Sequence, residues 1–202
     1  MMGSKMIAAV ALAATLATGP VMAGALHNAL VAGKHGKAIA LIKKSKRKAL
    51  NRPNENGFTP LQLAVMYNRE KEAALLIKRG AKVNKKDTEG MTALHVAAGN
   101  AGTKLSMFKL LVSKGAKVNA RDKYGRTPLH LMARAGRPEV ARFLIKKGAK
   151  VKVKDKRGKT PLKLAKAAKN APMVAALQGK KWKPRYAGGS KRRTVSISIL
   201  DL

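Results

Sequence analysis

The sequence predicts an all-α solenoid in which about five helix–turn–helix units stack and extended β-turn loops join them. One observation is an octapeptide, Gly-x-Thr-Pro/Ala-Leu-x-x-Ala/Met, whose leading glycines lie 33, 35 and 33 residues apart. Another is a Gly-Ala-Lys-Val turn that keeps the same period. A constant period of roughly 20–50 residues indicates a stacked repeat array. The octapeptides occupy residues 57–64, 90–97, 125–132 and 158–165, and the turns begin at Gly80, Gly115 and Gly148.

Local rules explain the elements of one unit. Thr127 is suited to cap a helix and Pro128 to begin it, because proline has no N–H to leave unpaired in the first turn. Gly136 and Pro138 end that helix and open a second, and Gly148 ends the second in a left-handed conformation. Such a short pair cannot bury its apolar face alone, so neighbouring units must supply the core. We expect the two apolar faces to consist of Leu129, Met132 and Ala133, and of Val140, Phe143, Leu144 and Ile145.

Weaker copies extend the array at both ends. Leu26, His27 and Gly33 repeat the spacing of Leu129, His130 and Gly136. At the histidine position the outer copies carry Gln62 and Lys163, which we expect to form polar surface capping the stack. Two residues are inserted near 45–48 and two near 99–103. The predicted units are 24–53, 54–86, 87–121, 122–154 and 155–178.

The Thr-Pro-Leu-His helix start at residues 127–130, together with the period near 33, resembles the ankyrin-repeat family over residues 24–178. The resemblance implies a binding scaffold and does not identify the partner. It also implies that His95 and His130 form hydrogen bonds between repeats, and His27 by analogy with them, whereas His35 is expected to be exposed. No small-molecule substrate or cofactor is implied, and a monomer is expected.

Residues 1–23 have the pattern of a signal peptide. Lys5 precedes an apolar run at residues 6–17, and Val21 and Ala23 are the small residues of a cleavage site after Ala23. The run is shorter than the roughly 20 residues that a transmembrane helix needs. We therefore expect export to a bacterial periplasm or secretion. A buried first helix of the solenoid and an uncleaved anchor are the alternatives.

The composition of the chain is strongly basic. The chain has 44 Lys and Arg against 9 Asp and Glu, a net charge of +35, and such a field attracts anionic partners. Lys82, Lys117 and Lys150 stand where the ankyrin family usually has Asp. Lysine predominates, and no nucleic-acid-binding motif accompanies it, so sequence-specific reading of nucleic acid is not expected.

Residues 179–202 form a predicted basic, flexible tail. Trp182 and Tyr186 lie among cations, where they are compatible with insertion at a membrane interface, stacking on bases, or packing over the last repeat. The two basic clusters also match a loose nuclear-import pattern. The alternation at residues 195–199 is compatible with a short strand.

Few residues in the sequence are arranged in a way that would suit catalysis. Asp87, Asp122 and Asp155 each precede a repeat glycine by three residues, a position that favours bracing of the turn by the carboxylate. The remaining acidic residues show no paired spacing, and four scattered histidines without cysteine predict no metal site. An enzyme is not expected.

The resemblance places partner contacts on the concave face of the solenoid, at the β-turn tips and the inner helices. Tyrosine and arginine there are common interface anchors, and the basic cluster in units four and five predicts an acidic protein partner. Alternatives are a polycation that holds anionic polymer or lipid headgroups, and a secreted effector acting in a host cell. The candidate partner-binding residues are Met66, Tyr67, Lys123, Tyr124, Arg126, Arg134, Lys156, Arg157 and Lys159.

Overall fold

The computed structural model describes residues 24–180, and this part of the chain is helical, as predicted. Its α-helices form five consecutive pairs, and each predicted unit contains one pair. A short 3-10 helix, Ala49–Asn51, lies between the first two pairs. The helices are α1 (Ala25–Val31), α2 (His35–Lys44), α3 (Pro60–Met66), α4 (Glu70–Lys78), α5 (Ala93–Gly99), α6 (Leu105–Ser113), α7 (Pro128–Ala135), α8 (Pro138–Lys146), α9 (Pro161–Ala167) and α10 (Ala171–Leu177).

The helices stack in two layers. The first helices of the pairs, α1, α3, α5, α7 and α9, each contact the next. The second helices form the other layer, where α2 contacts α4, α4 contacts α6, and α8 contacts α10. One continuous hydrophobic core lies between the layers. Because each unit contacts mainly its neighbours, stability depends on the interfaces between units.

The core contains most of the predicted apolar positions. Leu129 and Leu144 are fully buried, as expected. Ile145 was expected in the same core but is only half-buried, because it packs against the core cluster without being enclosed by it. Ala141 takes the fully buried position instead.

The helix ends follow the predicted local rules. Thr127 is the N-cap of α7 with Pro128 in its first turn, and Thr59 and Thr160 begin α3 and α9 in the same way. Gly136 closes α7 with a φ of 71°, in the left-handed region that favours glycine. Gly148 does so after α8 with a φ of 88°.

Histidine hydrogen bonds join consecutive units. His130 accepts a hydrogen bond at Nδ1 from the Thr127 N–H (3.1 Å) and donates from Nε2 to the Lys159 carbonyl of the next unit (3.1 Å). His95 does the same with the Thr92 N–H and with the Arg126 carbonyl (3.1 Å). The role predicted for these two side chains is confirmed.

Gln62 departs from its expected role as polar surface. Its side chain is fully buried. Its Oε1 accepts from the Thr59 N–H (2.9 Å) and its Nε2 donates to the Met91 carbonyl (2.9 Å). An amide offers one acceptor and one donor just as a neutral imidazole does, so Gln62 replaces the histidine. Lys163 is exposed, as expected at the end of the stack.

His27 also differs from the pattern inferred for it. Its Nε2 lies 3.0 Å from the carbonyl of Arg52, which precedes the octapeptide of unit two (residues 57–64) instead of lying within it. The N-cap of α1 is Gly24, so the threonine partner of the other copies is replaced. The first unit is therefore joined to the second by a variant of the common bond.

A ladder of asparagine side chains forms a second series of links. Each asparagine donates to a glycine carbonyl of the next unit and accepts from the lysine N–H two residues further on. The donor and acceptor distances are 3.1 and 2.7 Å for Asn51 with Gly80 and Lys82, 2.8 and 2.8 Å for Asn84 with Gly115 and Lys117, and 2.8 and 2.8 Å for Asn119 with Gly148 and Lys150. The Val-Asn marker recurs because each copy bonds its neighbour.

Several sequence predictions fall outside the described residues. These are the signal peptide, the roles of Trp182 and Tyr186, and the possible strand at 195–199. Within residues 24–180, no helix combines the length and apolar character that crossing a membrane requires.

Candidate binding surface at the turn tips

The turn tips are the loops that precede the first helices, and a buried or half-buried aspartate braces the tips of units three, four and five. Asp122 Oδ1 accepts from the N–H groups of Tyr124 (2.9 Å) and Arg126 (2.8 Å). Asp87 and Asp155 make the same pair of bonds in their own loops. The bracing role predicted for these aspartates is confirmed. The two hydrogen bonds hold the backbone of each of these tips, and therefore the direction in which the tip side chains project.

Neighbouring tips are also joined to one another. The Lys123 N–H donates to the Glu89 carbonyl (2.9 Å), and the Lys156 N–H donates to the Tyr124 carbonyl (2.9 Å). Close approach favours glycine at this point, since Gly125 has a φ of 74° and a Cβ there would lie 3.2 Å from the Lys156 nitrogen. The tips of units three, four and five are thus one hydrogen-bonded surface.

Tyr124 stands at the centre of this surface. Its relative exposure is 42%, and it is the one large hydrophobic residue that is exposed among residues 24–180. The Arg126 guanidinium carbon lies 4.6 Å from the ring centroid and the Lys123 ammonium nitrogen 5.1 Å from it. The hydroxyl donates to Glu89 Oε2 (3.2 Å). Two cation–π contacts and this hydrogen bond restrain the ring before any partner binds.

Glu89 is a member of the cluster that the sequence did not single out. Its Oε1 forms an ion pair with the Lys123 ammonium group. This hydrogen bond raises the pKa of Lys123 above its usual value. Glu89 could have been identified from the repeat, because it follows Asp87 by two residues just as Tyr124 follows Asp122.

Arg126 is less exposed than the tip position suggested. Its side chain retains 24% exposure, and its Nε donates to Asp122 Oδ2 (2.7 Å), an atom of a fully buried side chain. Charge reversal at Arg126 is therefore expected to disturb the fold. A glutamate at this position would face the buried Asp122 carboxylate, which costs more than a surface substitution.

The remaining tip candidates flank the cluster on one side. Lys156, Arg157 and Lys159 are exposed on the tip of unit five, and the backbone of Lys156 contacts Tyr124 directly. The Lys159 carbonyl is held by His130. The structure therefore brings the six predicted tip residues together.

The three candidates on the first helices lie elsewhere. Met66 ends α3 and Tyr67 follows it; both are half-buried against the core. The Met66 carbonyl accepts from Asn100 Nδ2 (2.8 Å), which ties this region to the inserted turn of unit three. Arg134 is exposed in the last turn of α7. These residues lie at the opposite helix ends from the tips.

A buried carboxylate outside the tip surface also has a partner. Glu72 on α4 is buried, and it pairs with Nδ1 of His35 on α2, whose side chain is 57% exposed. His35 Nε2 lies 3.2 Å from Arg69 Nη1. His35 is exposed, as predicted, and this trio links the second helices of units one and two. In the described part of the chain, no three acidic or histidine side chains are grouped as metal ligands would be.

Stacked helix pairs, braced tips and hydrogen bonds between consecutive units define a repeat scaffold that presents a long continuous surface. A family model described as ankyrin repeats (three copies) matches residues 20–87, 74–155 and 94–185. These overlapping matches cover most of the sequence, so the chain belongs to the ankyrin-repeat family. Proteins of this family are typically protein-interaction scaffolds without catalytic activity. No curated protein matches the chain.

Proposed function

We propose that this protein is an exported, monomeric, non-enzymatic scaffold that binds an acidic protein partner through the tips of units three to five. Tyr124 is the central anchor of the proposed interface. The supporting observation is the restrained, exposed ring between Lys123 and Arg126. A pre-organised aromatic side chain loses little conformational entropy on binding, and tyrosine and arginine dominate many interfaces.

The charge of this surface supports an acidic partner. Asp122 is satisfied by Arg126 and two backbone N–H groups, and Glu89 is bound by Lys123 and Tyr124. The cations of the neighbouring tip, Lys156, Arg157 and Lys159, add positive charge beside the ring. A partner with carboxylates placed around an aromatic or apolar contact would complement this arrangement.

Export is part of the proposal because residues 1–23 combine Lys5, an apolar run and a small-residue cleavage motif. A bacterial periplasm or the medium is the proposed location. Met66, Tyr67 and Arg134 are proposed to contact the partner only if it extends along the first helices.

Affinity capture with variant baits tests this function. Wild-type protein is compared with Tyr124→Ala and with the double variant Lys156→Glu/Arg157→Glu. The matched control, Lys109→Glu/Arg142→Glu, makes the same change of charge at exposed positions of α6 and α8. Arg126 is left intact because its reversal would disturb Asp122.

We expect wild type and control to capture the same acidic protein at moderate salt. Tyr124→Ala should lower its capture by more than about tenfold, as is typical of the loss of a central interface residue. Equal capture by wild type and Tyr124→Ala, with the variant folded, would contradict the proposal.

A further inference from the structure

The hydrogen-bonded tips bring equivalent residues of neighbouring units together in pairs. The residue before the glycine of one tip lies beside the residue that follows the bracing aspartate of the next tip. Backbone hydrogen bonds hold Lys123 beside Glu89 (2.9 Å) and Lys156 beside Tyr124 (2.9 Å) in this way. Of these two pairs, the one that joins opposite charges is Glu89 with Lys123.

The Glu89 carboxylate is bound by two side chains that the proposed function assigns to the partner. Its Oε1 pairs with the Lys123 ammonium group, and its Oε2 accepts from the Tyr124 hydroxyl (3.2 Å). Within residues 24–180 these are the two donors that reach this carboxylate. An ammonium group and a phenol hydroxyl, one for each oxygen, form a two-point site for a carboxylate, which we call the carboxylate clamp.

The fold does not depend on the Glu89 side chain. Its exposed fraction is 41% and that of Lys123 is 45%, and an ion pair between such exposed groups stabilises little because water solvates both charges. The tip backbone is held separately, since the Glu89 N–H donates to Asp87 Oδ1 (2.9 Å). The Tyr124 ring also keeps its contact with the Arg126 guanidinium carbon, 4.6 Å from the ring centroid. The Glu89 side chain can therefore rotate into solvent while the carboxylate clamp stays in place.

We propose that the carboxylate clamp binds a glutamate side chain of the partner, and that Glu89 occupies the clamp until the partner displaces it. This inference rests on the proposed function, and it names the chemical group that the tips recognise and the contact that breaks on binding. Glu89 carries the argument, because it shows which group Lys123 and Tyr124 accommodate together. The apparent affinity for the partner falls with the fraction of molecules in which the clamp is open.

Titration of the full chain with a synthetic peptide tests the proposal without the partner. The probe is pentaglutamate, acetylated and amidated so that its carboxylates are all side chains, and pentaglutamine is the neutral comparison. The backbone amide NMR signals of residues 123–126 report binding at the tip, so contacts elsewhere on this basic chain are not counted. Glu89→Gln removes the charge and keeps the shape of the side chain. The matched control, Glu139→Gln, makes the same change of charge at an exposed position in the first turn of α8.

We expect Glu89→Gln to bind pentaglutamate about two- to fivefold more tightly than wild type, as the loss of an exposed, competing ion pair allows. Glu139→Gln should bind as wild type does, and pentaglutamine should leave the tip signals unchanged. In a Lys123→Gln/Tyr124→Phe background the gain from Glu89→Gln should disappear, because that background has no carboxylate clamp to vacate. A gain that persisted there would reflect charge alone and would overturn the displacement.

Equal binding by wild type and Glu89→Gln would also overturn the proposal. Weaker binding by Glu89→Gln would do so as well, since Glu89 would then hold the ring ready for the partner instead of competing with it. The absence of any tip response to pentaglutamate in Glu89→Gln would exclude a carboxylate site. The proposed function is judged separately by capture with Tyr124→Ala. A loss of capture there, with no gain in Glu89→Gln, would leave the protein-binding surface in place and refute the carboxylate clamp.

Discussion

Replacement of His130 by alanine should destabilise the fold by removing the link between units four and five. The alanine leaves the buried Thr127 N–H without its acceptor at 3.1 Å and the Lys159 carbonyl without its donor at 3.1 Å. Each buried polar group left unpaired costs about 1–3 kcal/mol. The two groups together should therefore lower the free energy of unfolding by about 2–6 kcal/mol.

The chain itself supplies a matched variant. Gln62 makes both bonds in unit two at 2.9 Å each, so His130→Gln should retain most of the stability and cost less than about 1 kcal/mol. Lys163→Ala, at the equivalent exposed position of unit five, should change stability by less than about 0.5 kcal/mol.

Urea unfolding followed by circular dichroism at neutral pH measures these differences. If His130→Ala were as stable as the wild type, the assignment of the hydrogen bonds would be wrong. If His130→Gln were as unstable as His130→Ala, the bonds would not be the source of the effect, and the shape of the imidazole ring would be responsible.

Three further outcomes follow from the same structure. Gly125→Ala should lower the free energy of unfolding by about 1–3 kcal/mol, because its φ is 74° and a Cβ would lie close to the Lys156 nitrogen. Gly158→Ala, where φ is 68° and the surrounding space is open, should lower it less. Equal losses in urea unfolding would argue against the close approach of the tips. Burial lowers the pKa of His95 and of His130, so the unfolded chain binds more protons below about pH 6.5 and stability should decline as pH falls through that range. A double His→Gln variant at these two positions should show a weaker decline in the same titration, and an unchanged one would contradict the role of the imidazoles. Intact mass of the protein recovered from a Gram-negative periplasm should correspond to a chain that begins at Gly24, and recovery of the uncleaved chain in the cytosol would exclude the proposed export.

The fold was predictable from the sequence because its signals are local and repeated. Threonine before proline, glycine after the second helices of units two to five and the constant period depend on caps, turns and stacking that operate within one or two units. Leu129 and Leu144 were placed correctly for the same reason. Ile145 was misplaced because apolar periodicity does not define how wide the buried stripe of so short a helix is.

The candidate site was only partly predictable. The register placed Lys123, Tyr124 and Arg126 on a tip, but their mutual contacts depend on side-chain directions that sequence spacing does not give. Asp122, which forms an ion pair with Arg126, is buried because the tip packs against its neighbours. Gln62 was misjudged because its hydrogen-bonding equivalence to histidine becomes apparent only when the partner carbonyl is in place.

Site-specific photo-crosslinking at position 124 tests the central claim most directly. Tyr124 is replaced by a benzophenone-bearing phenylalanine in the full chain, and Arg142, exposed on α8, is replaced in a parallel sample. Irradiation in the expressing cell captures whatever contacts each position. The account predicts a discrete adduct with an acidic protein at position 124 and no such adduct at position 142. The same adduct from both positions, or an adduct at position 142 alone, would contradict binding through the turn tips.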